Sequence, residues 1–253
     1  IEKSLIFQNC EKIQLESIFI NYKIDYVIHC ATNYGKSDSS ALNIVSTNIV
    51  FPIELLELSR FYNVKAFINT DTYLNKKINS YSLSKKHFRD WLKKYSEHLL
   101  CINIVVDILY GPDDSSMKFI TGIIQSLLMN KDCLEFTTGV QKRNFIYIDD
   151  VVNAYKTILN SIDIGEFTKK KFVEISIGSD EIISIKDLIQ LIKLKIPESK
   201  TELKFGMIKY RKHEILESKL DTSKMKSLGW NPKINLKEGI ELTIKSEKNK
   251  LLK

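Results

Sequence analysis

Glycine and proline are scarce, nine and four in 253 residues, which excludes a collagen-like or linker-dominated chain. No uninterrupted apolar run approaches the roughly 18 residues that a membrane-spanning helix needs. The four cysteines, Cys10, Cys30, Cys101 and Cys133, lie far apart, form no C-x-x-C pair and have no histidine clustered beside them. Their spacing therefore offers neither a zinc site nor a disulfide framework, and a reducing cytoplasm is the expected compartment. Nothing near Ile1 reads as a secretory signal, and a first residue that is not Met leads us to expect a fragment that begins in mid-protein. Arginine is scarce too: of 38 basic residues only Arg60, Arg89, Arg143 and Arg211 are Arg. Where Lys serves for simple positive charge, each Arg draws attention, because only a planar guanidinium makes a two-pronged grip on phosphate.

What is present is 43% hydrophobic and 27% charged, enough for one sizeable core and a small second lobe. The net charge of +7 suits nucleic acid, an anionic membrane surface or an anionic small substrate. The basic residues are spread along the chain, and the runs Lys169 to Lys171 and Lys245 to Lys253 read as a loop and a solvated terminus. Neither nucleic acid nor a membrane is therefore an expected partner.

Short β-branched runs alternate with helical stretches, the pattern of an α/β protein with a doubly wound, mostly parallel sheet. Buried strands are expected at 25–31, 65–69 and 101–109, with helices at 14–22, 41–61 and 81–98. Pro52 inside the second of these helices predicts a kink or a break. Further on the spacing predicts a helix at 117–129, a strand at 134–137 and a strand-helix unit over 145–162. A strand at 172–177, a helix at 184–196, a strand at 202–205 and a helix at 236–248 complete the order. We expect one domain, with a dinucleotide-binding part over about 1–115 and 144–162 and a smaller substrate lobe over about 116–143 and 163–253.

On the helix from Tyr81, the residues Tyr81, Lys85, Phe88, Leu92, Tyr95 and Leu99 fall on one stripe, which puts Lys85 on the apolar face. Tyr81 and Lys85 are neighbours at i and i+4, so the ammonium can favour the ionised phenol and make it available as acid or base. The pattern alone is equally that of a lysine whose stem covers a core edge. Its context is a buried strand ending in Asn69-Thr70-Asp71-Thr72, which puts hydroxyls at the carboxyl edge where open α/β sheets bind ligands. Arg60 and Arg89 read as helix-surface positions beside aromatic residues.

Together, Val27-Ile-His-Cys-Ala31, the hydroxyl-ended strand, Tyr81-Ser-Leu-Ser-Lys85, Tyr110-Gly-Pro112, the segment Gly139 to Asp150 and Leu228-Gly-Trp-Asn-Pro232 resemble the extended short-chain dehydrogenase/reductase, or NAD-dependent epimerase/dehydratase, family. The resemblance covers nearly the whole chain and implies a Rossmann-type fold with NAD or NADP as cofactor. It implies Tyr81 as acid/base, Lys85 as its activator and ribose ligand, and Ala31 against the cofactor. It offers two helper hydroxyls, Thr72 when counted from the strand and Thr70 when Asn-Thr-Asp is matched as a string, and the strand favours Thr72. Arg143 and Arg211 would bind the diphosphate of a nucleotide-sugar substrate.

The family's 4,6-dehydratases follow the helper with an Asp-Glu pair. Thr72 is followed by Tyr73 and Leu74, and Thr70 by Asp71 and Thr72, so a dehydratase is disfavoured. The phrases Thr138 to Phe145 and Tyr210 to Ile215 resemble the synthases of CDP-3,6-dideoxyhexoses such as abequose and paratose, which implies reduction of a 4-keto nucleotide sugar for polysaccharide synthesis. A nucleotide-sugar 4-epimerase is the rival of the same class, and a non-catalytic nucleotide-binding paralogue the rival of another. The chain lacks the family's G-x-x-G-x-x-G, which would lie upstream of Ile1. It also has Val105 and Ile108 where relatives carry Arg and Asn. Asp107, the one charged residue of that strand, either faces the pocket or marks the strand end. A homodimer through the helices near Ala41 and Tyr81 is a family expectation.

Overall fold

The structure, a computed structural model, describes residues 12–35, 39–169 and 171–251. Cys10, Lys170 and the last two residues of the Lys-rich tail lie outside them, as does the expectation about Ile1. The first half runs α1 (Lys12–Asn21), β1 (Tyr26–His29), α2 (Ala41–Val45), α3 (Phe51–Phe61), β2 (Ala66–Thr72), α4 (Ser80–Tyr95) and β3 (Leu100–Val106). The chain continues with β4 (Ile108–Tyr110), α5 (Phe119–Leu128), β5 (Cys133–Phe136), β6 (Lys142–Tyr147) and α6 (Ile148–Asp163). It ends with β7 (Phe172–Ile177), β8 (Ile182–Ser184), α7 (Ile185–Leu194), β9 (Glu202–Phe205), α8 (Ser223–Ser227) and α9 (Leu236–Leu251).

The main sheet has the order β1-β2-β3-β7, with β1 and β2 parallel and Tyr26 opposite Ala66. A second sheet is ordered β4-β6-β8, and β5 pairs in parallel with β9. The chain divides into two compact units: residues up to Asp71 with Asn79–Asn103 and Phe167–Glu174, and Thr72–Ile78 with Ile104–Glu166 and Ile175–Lys253. In the first, Leu56, Phe67, Phe88 and Leu92 are fully buried. In the second, α7 directs Ile185, Leu188, Ile189 and Ile192, spaced for one helical face, into a core with Ile124, Leu127 and Ile240.

Two expectations are corrected. The helix does not break at Pro52: α2 and α3 join through a π-helical turn, Ser46–Val50, into one helix, Ala41–Phe61. The Phe51 N–H reaches back to the Ser46 carbonyl, and Pro52 then sits in the first turn of α3, where its missing N–H costs nothing. By length and composition this helix could cross a membrane, although no uninterrupted run in it is long; Asn48, Pro52, Leu56 and Ser59 along it are buried in the protein. The strand expected over 101–109 is two, β3 and β4, divided at Asp107. Asp107 marks that end because its carboxylate accepts the Asn144 N–H at 3.1 Å and the Ser218 hydroxyl.

Within the second unit two distant motifs meet. The Trp230 indole N–H donates to the Asp150 carbonyl at 3.2 Å, and the Asp150 carboxylate accepts the N–H groups of Lys233 and Ile234, both at 2.9 Å. A carboxylate in the first turn of α6 also suits the helix dipole.

Candidate active site

In the first unit, α4 starts at a capping box: the Asn79 side chain accepts the Ser82 N–H at 2.8 Å, and the Ser82 hydroxyl oxygen accepts the Asn79 N–H at 3.3 Å. That cap fixes the turn carrying Tyr81. One turn on, Lys85 is 2% exposed and donates from Nζ to the Thr70 carbonyl at 2.7 Å. Burial lowers its pKa to about 8, opposed by the charges of Asp71 and Cys30 and assisted by Lys86. Tyr81 is half-buried, with the Tyr34 ring 5.0 Å away centre to centre. Ala31 is exposed just beyond β1, and Cys30 beside it has its Sγ 3.1 Å from the Thr70 hydroxyl.

The two helper candidates are placed differently. Thr70 is half-buried, whereas Thr72, 5% exposed, accepts the Leu74 N–H on its hydroxyl oxygen at 3.2 Å.

Sequence reasoning passed over Asn48, which read only as part of a helix. It sits in the π-helical turn, fully buried, and its amide donates to the Asn33 carbonyl at 2.8 Å and the Ser84 hydroxyl at 2.9 Å. Its Oδ1 accepts the Asn33 N–H at 2.7 Å. One side chain thus ties the loop that carries Tyr34 to the helix that carries Tyr81. The available signal was an Asn four residues before a helical Pro, where a widened turn frees a polar side chain.

Arg89 is not the surface residue expected of it. It donates from Nε to Asp71 at 2.7 Å and pairs with Glu174 at 3.3 Å. Asn103 donates to the same two carboxylates at 3.0 Å each. Because carboxylates only accept, Asn103 must turn its oxygen to Asn69 Nδ2, 2.8 Å away, and Asn69 its own oxygen to His29 Nδ1 at 2.9 Å. His29 is therefore the tautomer with the proton on Nδ1, and its buried Nε2 has no partner among the described residues. Burial lowers its pKa to about 4.

Since an unfolded histidine titrates near 6.5, the unfolded chain binds the extra proton between pH 6.5 and 4, and stability falls as pH drops through that window. The loss from His29 alone is about 3 kcal/mol. In urea denaturation at pH 7 and pH 4.5, His29→Phe is expected to be less stable at neutral pH and to lose less on acidification; an unchanged acid loss would count against this origin.

In the second unit, β6 and the strap at 211–218 build a cluster around two arginines. The Lys142 N–H donates to the Leu216 carbonyl at 2.8 Å and the Ser218 N–H to the Lys142 carbonyl at 3.1 Å, which lays the strap along β6. Arg143, buried, pairs with Glu214, whose other oxygen takes Arg211 Nε at 3.0 Å. His213 adopts a left-handed φ of 63°, closing the turn between Arg211 and Glu214. The two sequence-selected arginines thus share one carboxylate, which sequence reasoning did not single out. Gly139, at φ 74°, approaches so closely that a Cβ would stand 2.9 Å from the Lys186 backbone nitrogen. Gln141 beyond it accepts the Tyr210 hydroxyl at 3.0 Å.

A parallel α/β sheet whose strand end holds a buried Lys, with a Tyr one helical turn before it, defines a dinucleotide-dependent enzyme of the Rossmann type. Residues 7–170 match the NAD dependent epimerase/dehydratase family, and the chain belongs to it. It is 35% identical over 244 residues to a CDP-abequose synthase of Salmonella typhimurium (strain LT2), covering 92% of this chain and 80% of that protein. It is 29% identical over 258 residues to the dTDP-D-glucose 4,6-dehydratase of Mus musculus, covering 93% and 71%. Among solved structures, the UDP-glucose 4-epimerase of Thermotoga maritima with UDP-glucose superposes with a TM-score of 0.80 at 24% identity, over 94% of this chain and 82% of that one.

The family is NAD-dependent, and the first unit fits such a cofactor. The Lys85 ammonium makes one hydrogen bond among the described residues and has three N–H groups, so two remain for hydroxyl oxygens such as those of a ribose.

Proposed function

We propose that the protein is a nicotinamide-dependent oxidoreductase that reduces the 4-keto group of a nucleotide sugar, most like a CDP-3,6-dideoxyhexose synthase, in polysaccharide precursor synthesis. The observation that carries the reading is Lys85, buried, bonded to the end of β2 and one turn from Tyr81. The likeness to CDP-abequose synthase supports the substrate class.

The bound cofactor supplies the hydride. Tyr81 delivers a proton to the forming alkoxide oxygen. Thr70, rather than Thr72, donates a hydrogen bond to that oxygen, since the Thr72 hydroxyl is buried in its own turn. Lys85 holds positive charge near the phenol and donates to the ribose, and Ala31 lies against the cofactor. Arg143 and Arg211 grip the diphosphate, with Glu214 keeping both guanidiniums oriented. The cofactor part is taken as about 1–115 and 144–162 and the substrate part as about 116–143 and 163–253, in a cytoplasmic enzyme. Asp71 holds the place that would start a dehydratase's acidic pair, but its carboxylate is wholly buried against Arg89 and Lys86.

The test is consumption of NADPH or NADH with CDP-4-keto-3,6-dideoxyglucose. Steady oxidation with stoichiometric product is the expected result. Tightly retained cofactor without net oxidation would overturn the reductase in favour of a 4-epimerase.

A further inference from the structure

Two cations of α4, Lys86 and Arg89, converge on one carboxylate, and a third, Lys85, bonds the backbone beside it. Asp71, whose side chain is fully buried, takes Arg89 Nε at 2.7 Å and Arg89 Nη2 at 2.5 Å on Oδ2, and faces Lys86 Nζ at 3.5 Å with Oδ1. Asn103 of the neighbouring strand completes Oδ2 at 3.0 Å. The residue before Asp71 is Thr70, whose carbonyl receives the Lys85 ammonium. The strand end is thus fastened to the helix twice, by the Arg89 fork through a side chain and by Lys85 through the backbone.

We propose that Asp71 is a positioning residue for the reaction assigned above: it clamps the end of β2 to α4, so that the Thr70 carbonyl and the Lys85 ammonium stay together, and it supplies the counter-charge to that ammonium. The proposal rests on the reading of Tyr81 and Lys85 as the reacting pair. Arg89 cannot lose its proton, so without Asp71 the electrostatic strain among the three cations falls on the two lysines, and Lys85 is the more buried. Among the described residues, the charged or titratable groups that act on Lys85 are Asp71 from β2, Cys30 and the neutral His29 from β1 and its end, and Lys86 from its own helix, on which Tyr81 stands one turn before it. Among them Asp71 is the largest influence in favour of the charged lysine. Its carboxylate therefore acts through Lys85 and not on the substrate.

The test is NMR titration of the protein labelled at lysine Cε, with the Lys85 signal assigned by its absence from Lys85→Met. Asp71→Asn is expected to lower the Lys85 midpoint by about one pH unit or more. Asp71→Glu is expected to restore most of it, and the alkaline limb of the turnover profile to move with the midpoint while KM stays within about twofold. A folded Asp71→Asn variant whose Lys85 titrates as in the wild type overturns the proposal. If that variant does not fold, Lys86→Met decides: it leaves the Arg89 fork in place and removes the cation that shares Asp71 with Lys85, so the Lys85 midpoint should rise, and an unmoved or lowered one overturns the proposal. Full turnover in Tyr81→Phe would overturn the functional reading alone, leaving the grip of Asp71 on Lys85. Lost turnover there with an unmoved Lys85 in Asp71→Asn would overturn this inference alone.

Discussion

Tyr81→Phe is expected to lower turnover by about 10²- to 10⁴-fold, the usual contribution of a positioned general acid. The substitution removes one hydroxyl from a half-buried residue and keeps the ring that packs against Tyr34. Asn48 holds that loop independently, through Asn33. Cofactor affinity, measured by fluorescence titration, should therefore stay near the wild-type value while the rate collapses. The wild-type rate should also decline as pH rises past about 8, where Lys85 loses its proton and the positive charge beside the phenol disappears. A Phe variant that turns over at more than a tenth of the wild-type rate would remove Tyr81 from the chemistry.

Arg143→Leu is expected to have the largest effect on stability as well as on substrate binding. Arg143 and Glu214 have side chains only 6% and 9% exposed, so removal of the guanidinium leaves a buried carboxylate with one remaining partner, Arg211. Breaking a buried pair from one side costs about 3–5 kcal/mol, and the surviving Arg211 contact places this case near the lower end. Replacing Arg143 and Glu214 together by Leu should recover most of that stability, because no uncompensated charge is then left. It should not recover substrate affinity, because the two-pronged donor is still missing. Urea denaturation and KM for the nucleotide sugar, measured on both single variants and the double, separate the two effects. Equal KM values in wild type and double variant would show that Arg143 serves the fold and not the diphosphate.

Short apolar runs rich in β-branched residues and bounded by turn residues read as buried strands, so the α/β reading and most element positions follow from the chain itself. The stripe from Tyr81 to Leu99 was equally legible, because helical periodicity alone places Lys85 beside Phe88 and Leu92 on the apolar face. The scarcity of arginine directed attention to Arg143 and Arg211 before any geometry was known. In each case the controlling physics is local: periodicity, backbone conformation or the chemistry of one side chain.

Tertiary structure decided what depends on pairing between distant residues. Glu214 became the shared partner of two arginines only because the strap lies along β6, and nothing in its own neighbourhood distinguishes it from other acidic residues. Arg89 appeared to be a surface residue because its helix position is ambiguous, yet two carboxylates from β2 and β7 draw it inward. Pro52 signalled a kink or a break, and a π-helical turn let the helix run on through it. The depth of the two hydroxyl residues, Thr70 half-buried and Thr72 5% exposed, was likewise invisible along the strand. The chain by itself determined the sheet, the helices and the Tyr81–Lys85 pair, since those rest on periodicity along one segment. Which charges neutralise one another was decided only in three dimensions, because a Coulomb partner is chosen by distance in space and leaves no trace in sequence spacing.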